Sequence, residues 1–160
     1  MSLDSVLYIR KSSSDEHVIN LVEIYASPLI HNWFMEYIDD DGRITFLQLK
    51  DMHKVCTEVL NTTEQRQETA TNVRYVYGKG HHVTEYTCPF VVTVTYPTLT
   101  TLELCKKIFP NEHIDSAKGN YTPTFFCDLQ KIKQAFETIF FLADSNNKME
   151  EEYSICYNQF

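Results

Sequence analysis

The chain has 160 residues, of which 43% are hydrophobic and 13% aromatic, with four glycines and five prolines. This length and composition predict one folded domain and exclude a disordered or low-complexity chain. The formal net charge of -8 repels phosphate groups, which disfavours duplex nucleic acid and anionic membranes as partners.

The cysteines are spread singly along the chain, and no Cys-x-x-Cys pair occurs. An odd number of isolated cysteines predicts free thiols and gives no zinc or dithiol motif. No secretory pattern precedes the first predicted strand, and no apolar run approaches the roughly 20 residues of a membrane span. We therefore expect a cytosolic protein without a metal, a cofactor or a membrane partner. The five cysteines are Cys56, Cys88, Cys105, Cys127 and Cys156.

A strand and two helices are predicted in the first part of the chain. LDSVLYI predicts a short strand, and the polar RKSSSDE after it predicts a loop. Ser27 followed by Pro28 is typical of a helix start, because proline fits the first turn. Thr45 and Gln48 match the capping box that opens a second helix, which ends at residues 61–63. The first helix carries one apolar stripe at helical spacing: Leu29, Ile30, Trp33, Phe34, Tyr37 and Ile38.

The centre of the chain is predicted to be β-rich over about residues 72–97. VRYVY, HVTEYT and FVVTVTY are rich in Val, Thr and Tyr, which favours a two- or three-stranded antiparallel unit. The polar run NTTEQRQETATN before it is interpreted as a connection. Gly78 and Gly80 are expected to turn the first hairpin, because glycine accepts a positive φ, and Pro89 is expected to separate the next strand.

Two further helices and a last strand complete the prediction. Thr100 and Glu103 suggest a capping box for a helix that ends at Ile108, before Pro110. The stretch from Phe125 has the strongest helical periodicity of the chain, and YSICY predicts a terminal strand. The elements together predict a single α+β domain over residues 1–160, in which about four helices pack on a small antiparallel sheet.

The stretch IHNWFMEYIDDDGRI contains an acidic run that resembles part of a calcium-binding loop. With Gly42 at the sixth loop position, Asp39 and Asp41 occupy the third and fifth positions. Tyr37 and Gln48 then fall where calcium needs its first ligand and its closing bidentate carboxylate. We therefore interpret the run as a polar turn in which Gly42 ends the first helix.

The most polar candidate site is GKGHHVTEY in the central region. Lys79, His81 and His82, together with backbone N–H groups, are suited to a phosphate, and a nearby tyrosine is suited to stacking on a base. An exposed hairpin tip is the simpler explanation of the same pattern. The only tryptophan is expected in the core by its spacing, or at the floor of a pocket if it is partly exposed. The ligand-binding candidates are Arg74, Tyr77, Lys79, His81, His82 and Trp33.

No catalytic constellation is complete in the sequence. His82 and Thr84 match one arm of the paired His-x-Thr motifs of two-histidine phosphodiesterases, but His53 and His113 lack the matching threonine. A base at His82 would then lack a partner acid. Spacing selects no Cys/His pair, and Cys56 and Cys127 are expected in the core. Nucleophile-elbow serines and glycine-rich nucleotide loops do not occur.

Several segments resemble a family of small phage and bacterial proteins of unassigned function. The segments are MSLDSVLYIRK, PLIHNWFMEYI with LQLKDMHKVCTEVL, YTPTFFCDLQKIKQAFETIFF and EEYSICYNQF. Members typically have a Leu-Asp start, an Ile-His-x-Trp-Phe helix and a Tyr-rich terminal strand. The likeness covers most of the chain outside the central region, and it implies a phage or prophage setting without a known activity.

The resemblance and the central cluster lead to one main functional hypothesis and two alternatives. The main hypothesis is a non-catalytic binder that sequesters an anionic, nucleotide-type immune signal of the host, in the host cytosol, as a form of counter-defence. The first alternative is an interaction module that inhibits a host protein through aromatic anchors. The second is a nucleotide hydrolase that uses His82 as base. A homo-oligomer is compatible with all three.

Overall fold

The computed structural model describes residues 4–14, 16–25, 27–77, 83–109 and 121–159, with only the backbone for 73–77 and 83–86. Six strands and five helices lie within these ranges, which confirms the predicted α+β class. They are β1 (Ser5–Lys11), β2 (His17–Ile24), α1 (Pro28–Met35), β3 (Arg43–Ile44), α2 (Phe46–Asn61), β4 (Glu64–Tyr77), β5 (Val83–Tyr96), α3 (Leu99–Ile108), α4 (Pro123–Ser145), α5 (Met149–Glu152) and β6 (Tyr153–Gln159).

Four of the strands form an antiparallel sheet in the order β2-β1-β6-β3. The register of β1 and β6 places Leu7 opposite Tyr157 and Ile9 opposite Ile155. Because side chains alternate along a strand, these four residues share one face, and all four are buried in the core. The predicted first and last strands are thus confirmed. β2 and the two-residue β3 have no counterpart among the predicted elements.

Helix α1 begins at Pro28, as predicted, but it ends at Met35. The prediction that Gly42 ends this helix is therefore wrong. The N–H groups of Tyr37 and Ile38 both bond to the carbonyl of Phe34, which closes the helix well before the acidic run. Ser27 occupies the N-cap position without a side-chain hydrogen bond. The predicted stripe is confirmed on the helix itself, where Leu29, Ile30, Trp33 and Phe34 are buried.

Helix α2 begins with the predicted capping box. The Thr45 hydroxyl accepts a hydrogen bond from the Gln48 N–H, and the Gln48 side chain accepts one from the Thr45 N–H. The capping box of α3 was predicted two residues too late. Its N-cap is Thr98, paired with Thr101, because the Thr98 hydroxyl also donates to the carbonyl of Thr62 and ties the start of α3 to the end of α2.

Replacing Thr45 by alanine is expected to lower the free energy of unfolding by about 1 kcal/mol, because the N–H of Gln48 loses the hydroxyl that accepts its hydrogen bond. Urea denaturation followed by circular dichroism measures this loss. Thr138→Ala is the matched control, since the Thr138 hydroxyl is exposed and donates only to a carbonyl within its own helix. Equal losses in the two variants would contradict a specific capping contribution.

The central region forms a two-stranded ribbon that is longer than predicted. β4 and β5 pair over their whole lengths, from Glu64 opposite Tyr96 to Tyr77 opposite Val83. The interpretation of NTTEQRQETATN as a connection is wrong, because residues 64–72 are the first part of β4. The expected break at Pro89 is also wrong, since β5 continues through it opposite Thr71. A proline is tolerated in a strand where its nitrogen faces away from the neighbouring strand.

The core lies between the four-stranded sheet and the helices. Helix α4 contacts α2, β2 and the base of β5, and its buried face confirms the helical periodicity predicted from Phe125 onward. Within the described part of the chain, no helix has the length and apolar character needed to cross a membrane. All five cysteines are free thiols, as predicted; Cys56 is buried as expected, whereas Cys127 is exposed, contrary to expectation.

Candidate functional site

For most of the ligand-binding candidates from the sequence, the structure describes no side chain. Lys79, His81 and His82 lie outside the described residues, and so does the glycine pair that flanks Lys79. Arg74 and Tyr77 lie on β4, where only the backbone is described. The proposed phosphate and base contacts of these residues therefore stay predictions.

Trp33 belongs to the core. Its side chain is 1% exposed, and its ring makes edge contacts with Phe109 at 5.2 Å and Tyr37 at 6.0 Å between centroids. A side chain enclosed in this way presents no surface to a ligand. Of the two roles considered for Trp33, the structure supports the core position that helical spacing predicted.

An open basin lies where β1, the end of β6 and the turn after α1 meet. We call it the His31 basin. Its volume is about 700 Å³, and polar side chains line most of it. Three segments that are distant in sequence contribute the polar groups, so the fold and not local sequence assembles the site. The lining residues are Tyr8, Arg10, His31, Met35, Ile38, Asp39, Asp40, Asp41, Gly42, Tyr157, Asn158 and Gln159.

His31 is held by the terminal strand. Its Nδ1 lies 2.8 Å from the hydroxyl of Tyr157, and Tyr157 is fixed in turn by stacking on Phe34 at 4.2 Å with nearly parallel rings. Burial raises the pKa of Tyr157 to about 12, so the phenol keeps its proton. Burial also lowers the pKa of His31, so its imidazole is neutral at pH 7. The second ring nitrogen of His31 has no hydrogen-bond partner among the described residues.

The acidic turn forms another wall of the basin. The Asp39 carboxylate accepts hydrogen bonds from the N–H groups of Asp41 and Arg43, both at 2.9 Å. The hydrogen bond from Arg43 is the main reason that the pKa of Asp39 is lowered, with smaller contributions from Asp41 and from the charges of Arg43 and Arg10. The Asp39 carboxylate thus stabilises the turn through these two backbone hydrogen bonds. The exposed carboxylates of Asp40 and Asp41 form no ion pair with the described residues.

Gly42 brings the acidic turn against β6. Its φ is +79°, and its carbonyl accepts a hydrogen bond of 2.8 Å from the N–H of Tyr157. A Cβ atom at this position would lie 2.7 Å from the carbonyl oxygen of Tyr157. Only glycine combines this backbone conformation with this close approach. A movement of the acidic turn would therefore also displace Tyr157 and its contact with His31.

The sequence had singled out parts of this basin for other reasons. His31 carried the family resemblance, and the acidic run suggested calcium. No group of three or more His, Cys, Asp or Glu side chains arranged to hold a metal ion is found in the described ranges. Tyr8, Arg10 and Tyr157 were missed, because their contribution depends on strand pairing across most of the chain.

Comparison of this chain with protein-family models, with characterised proteins and with solved structures finds no match. The protein is therefore classified by its fold, as an α+β domain with a polar basin beside its four-stranded sheet and a long two-stranded ribbon.

Proposed function

We propose that this chain is a binding protein that captures a small polar molecule in the His31 basin. The observation that supports the proposal is the convergence of hydrogen-bonding groups from β1, α1, the acidic turn and β6 on a cavity of about 700 Å³. Small-molecule sites have volumes of about 300–1,000 Å³ and carry a few fixed polar groups that orient the ligand. His31, fixed by Tyr157, is such a group.

The charges of the basin indicate the chemical class of the ligand. Three aspartates face one arginine in the lining, which gives a formal charge of -2. Arg10 acts on Asp39, whereas Asp40 and Asp41 form no ion pair among the described residues. This balance favours a ligand with an amine or other hydrogen-bond donors and repels a polyphosphate. The imidazole of His31 adds one further donor or acceptor through its second nitrogen.

Binding without turnover fits the protonation states in the basin. General acid–base catalysis needs groups that gain and lose protons near the working pH. The phenol of Tyr157 has a pKa of about 12, and Asp39 has a lowered pKa and is held by backbone N–H groups. These two groups keep one protonation state near pH 7, which supports capture over acid–base catalysis by either of them.

Native mass spectrometry with a defined panel of small molecules tests the proposal. Spermidine and adenosine represent amine and neutral ligands, and cyclic nucleotides and ADP-ribose represent anionic ligands. We expect a bound mass with the first pair that is released unchanged by heat. Asp40→Asn with Asp41→Asn should weaken amine binding by about tenfold, as expected when one charged contact of about 1.4 kcal/mol is lost. Asp144→Asn, an exposed carboxylate on α4, is the matched charge control.

The same panel addresses the nucleotide hypothesis of the sequence. Capture of ADP-ribose or a cyclic nucleotide that is lost on replacing Lys79, His81 and His82 by alanine would assign the site to these three residues and not to the basin. A changed ligand mass would favour the hydrolase alternative with His82. In a phage setting, which remains a proposal, either kind of capture would remove a small host molecule from solution.

A protein partner is the second candidate function, and exposed apolar residues on the ribbon favour it. Phe90 is 41% exposed and Val91 is 66% exposed, on opposite faces of β5. Apolar side chains on both faces of a projecting ribbon are suited to insertion between two surfaces of a partner. If no panel member binds, Phe90→Ser and Val91→Ser become the informative variants in a search for host proteins.

A further inference from the structure

The outer edge of β4 is an open backbone edge of unusual length. Within the described ranges, β5 is the only strand paired with β4. The 14 residues of β4 extend over about 46 Å at roughly 3.3 Å per residue. Gln65, Gln67, Thr69 and Thr71 are exposed, and no proline interrupts the strand. Such an edge presents a row of N–H and C=O groups that can pair with another strand.

The opposite edge of the ribbon is less suited to pairing. Pro89 lies in the middle of β5, opposite Thr71, and has no N–H to donate. Its nitrogen is expected to face outward, since the pairing of β4 and β5 continues through it. The base of β5 is also covered, because Thr93, Val94 and Thr95 face residues of α4 across a groove. The open edge of the ribbon is therefore that of β4.

We propose that the β4 edge pairs antiparallel with β4 of a second copy of this chain, which joins two ribbons into one four-stranded sheet. A two-fold axis at Thr71 pairs each position with the one that is equally far on the other side of residue 71. This register spans residues 65–77 in both copies. It sets position 68 opposite position 74 of the second copy, and position 74 opposite position 68, and the sequence has Glu at the one and Arg at the other.

The size of this contact is that of a weak, reversible dimer. Residues 71 and 89 are directly opposite, so if the Pro89 nitrogen points outward they are a non-hydrogen-bonded pair, and the N–H and C=O of Thr71 also point away from the partner strand. The odd-numbered positions of β4 are therefore the ones whose backbone groups face its open edge. Two hydrogen bonds at each odd position from 65 to 77 give about 14 bonds between the copies, within the range of specific interfaces. The 13 paired residues extend over about 43 Å, and an edge about 10 Å deep buries about 900 Å² in total, which lies among weak and transient interfaces.

Sedimentation velocity of the full chain over a range of micromolar concentrations tests the proposal. Thr71→Pro removes the central outward N–H from each copy and should raise the dimer dissociation constant by about tenfold or more. Thr87→Pro is the matched control, since it makes the same substitution at an outward position of β5. A monomer at all concentrations, or equal effects of the two prolines, would overturn the proposal.

A charge reversal supplies a second test that does not depend on proline. Glu68→Arg places like charges opposite each other at two points of the interface and should weaken the dimer, and Arg74→Glu should do the same. The double variant restores both opposite-charge pairs and should recover the dimer. Positions 68 and 74 pair with residues 92 and 86 within one ribbon, so recovery reports contact between copies. Failure of the double variant to recover would exclude this register.

Discussion

Trp33→Ala is expected to lower the free energy of unfolding by about 3–5 kcal/mol, the cost of truncating a buried aromatic residue. Trp33 is 1% exposed, and its ring contacts Phe34, Tyr37 and Phe109 from α1, the segment after it and the end of α3. Removing the indole leaves a cavity among three other aromatic rings. Urea denaturation followed by circular dichroism, with the slope compared between variants, measures the loss.

Two control variants separate core packing from ligand binding. Trp33→Phe keeps an aromatic ring and should cost less than the alanine variant. Phe141→Ala removes a ring that is 70% exposed and should change stability by about 0.5 kcal/mol or less. Ligand capture in the His31 basin should persist in folded Trp33→Phe. A loss of capture without a loss of stability would return Trp33 to the binding surface.

The helices could be predicted from the sequence because their signals are local. Thr45 and Gln48 lie three residues apart and contact each other directly, so their pattern locates the start of α2. The stripe that includes Trp33 and Phe34 predicts the buried face of α1 for the same reason. Where two local patterns compete, as at the start of α3, a distant contact from Thr98 to Thr62 decides between them.

The ribbon and the basin could not be predicted in full, because they depend on pairing between distant residues. The first part of β4 is polar and exposed on both faces, so it carries no alternation of apolar residues for a strand prediction to detect. The basin requires β1 to pair with β6 across nearly the whole chain, as Leu7 does with Tyr157. The sequence pointed to His31 and to the acidic run separately, without a signal that they share a site.

Gly42→Ala is expected to lower the free energy of unfolding by about 2–4 kcal/mol. A left-handed backbone costs an alanine about 1–2 kcal/mol, and Gly42 has a φ of +79°. The added Cβ would also lie 2.7 Å from the Tyr157 carbonyl oxygen, so the turn must move away from β6. This movement weakens the bond from the Tyr157 N–H to the Gly42 carbonyl, which adds about 1 kcal/mol.

The same substitution should reduce ligand capture in the molecules that remain folded, because Tyr157 positions His31. The nitrogen chemical shifts of the His31 ring report its hydrogen bond to the Tyr157 hydroxyl, and we expect them to change in Gly42→Ala. Asp40→Ala is the matched control within the turn: its side chain is exposed and forms no ion pair with the described residues, so it should alter capture without altering stability or the His31 signal. If Gly42→Ala were as stable as Asp40→Ala, the close approach of the acidic turn to β6 could not be what holds the basin together.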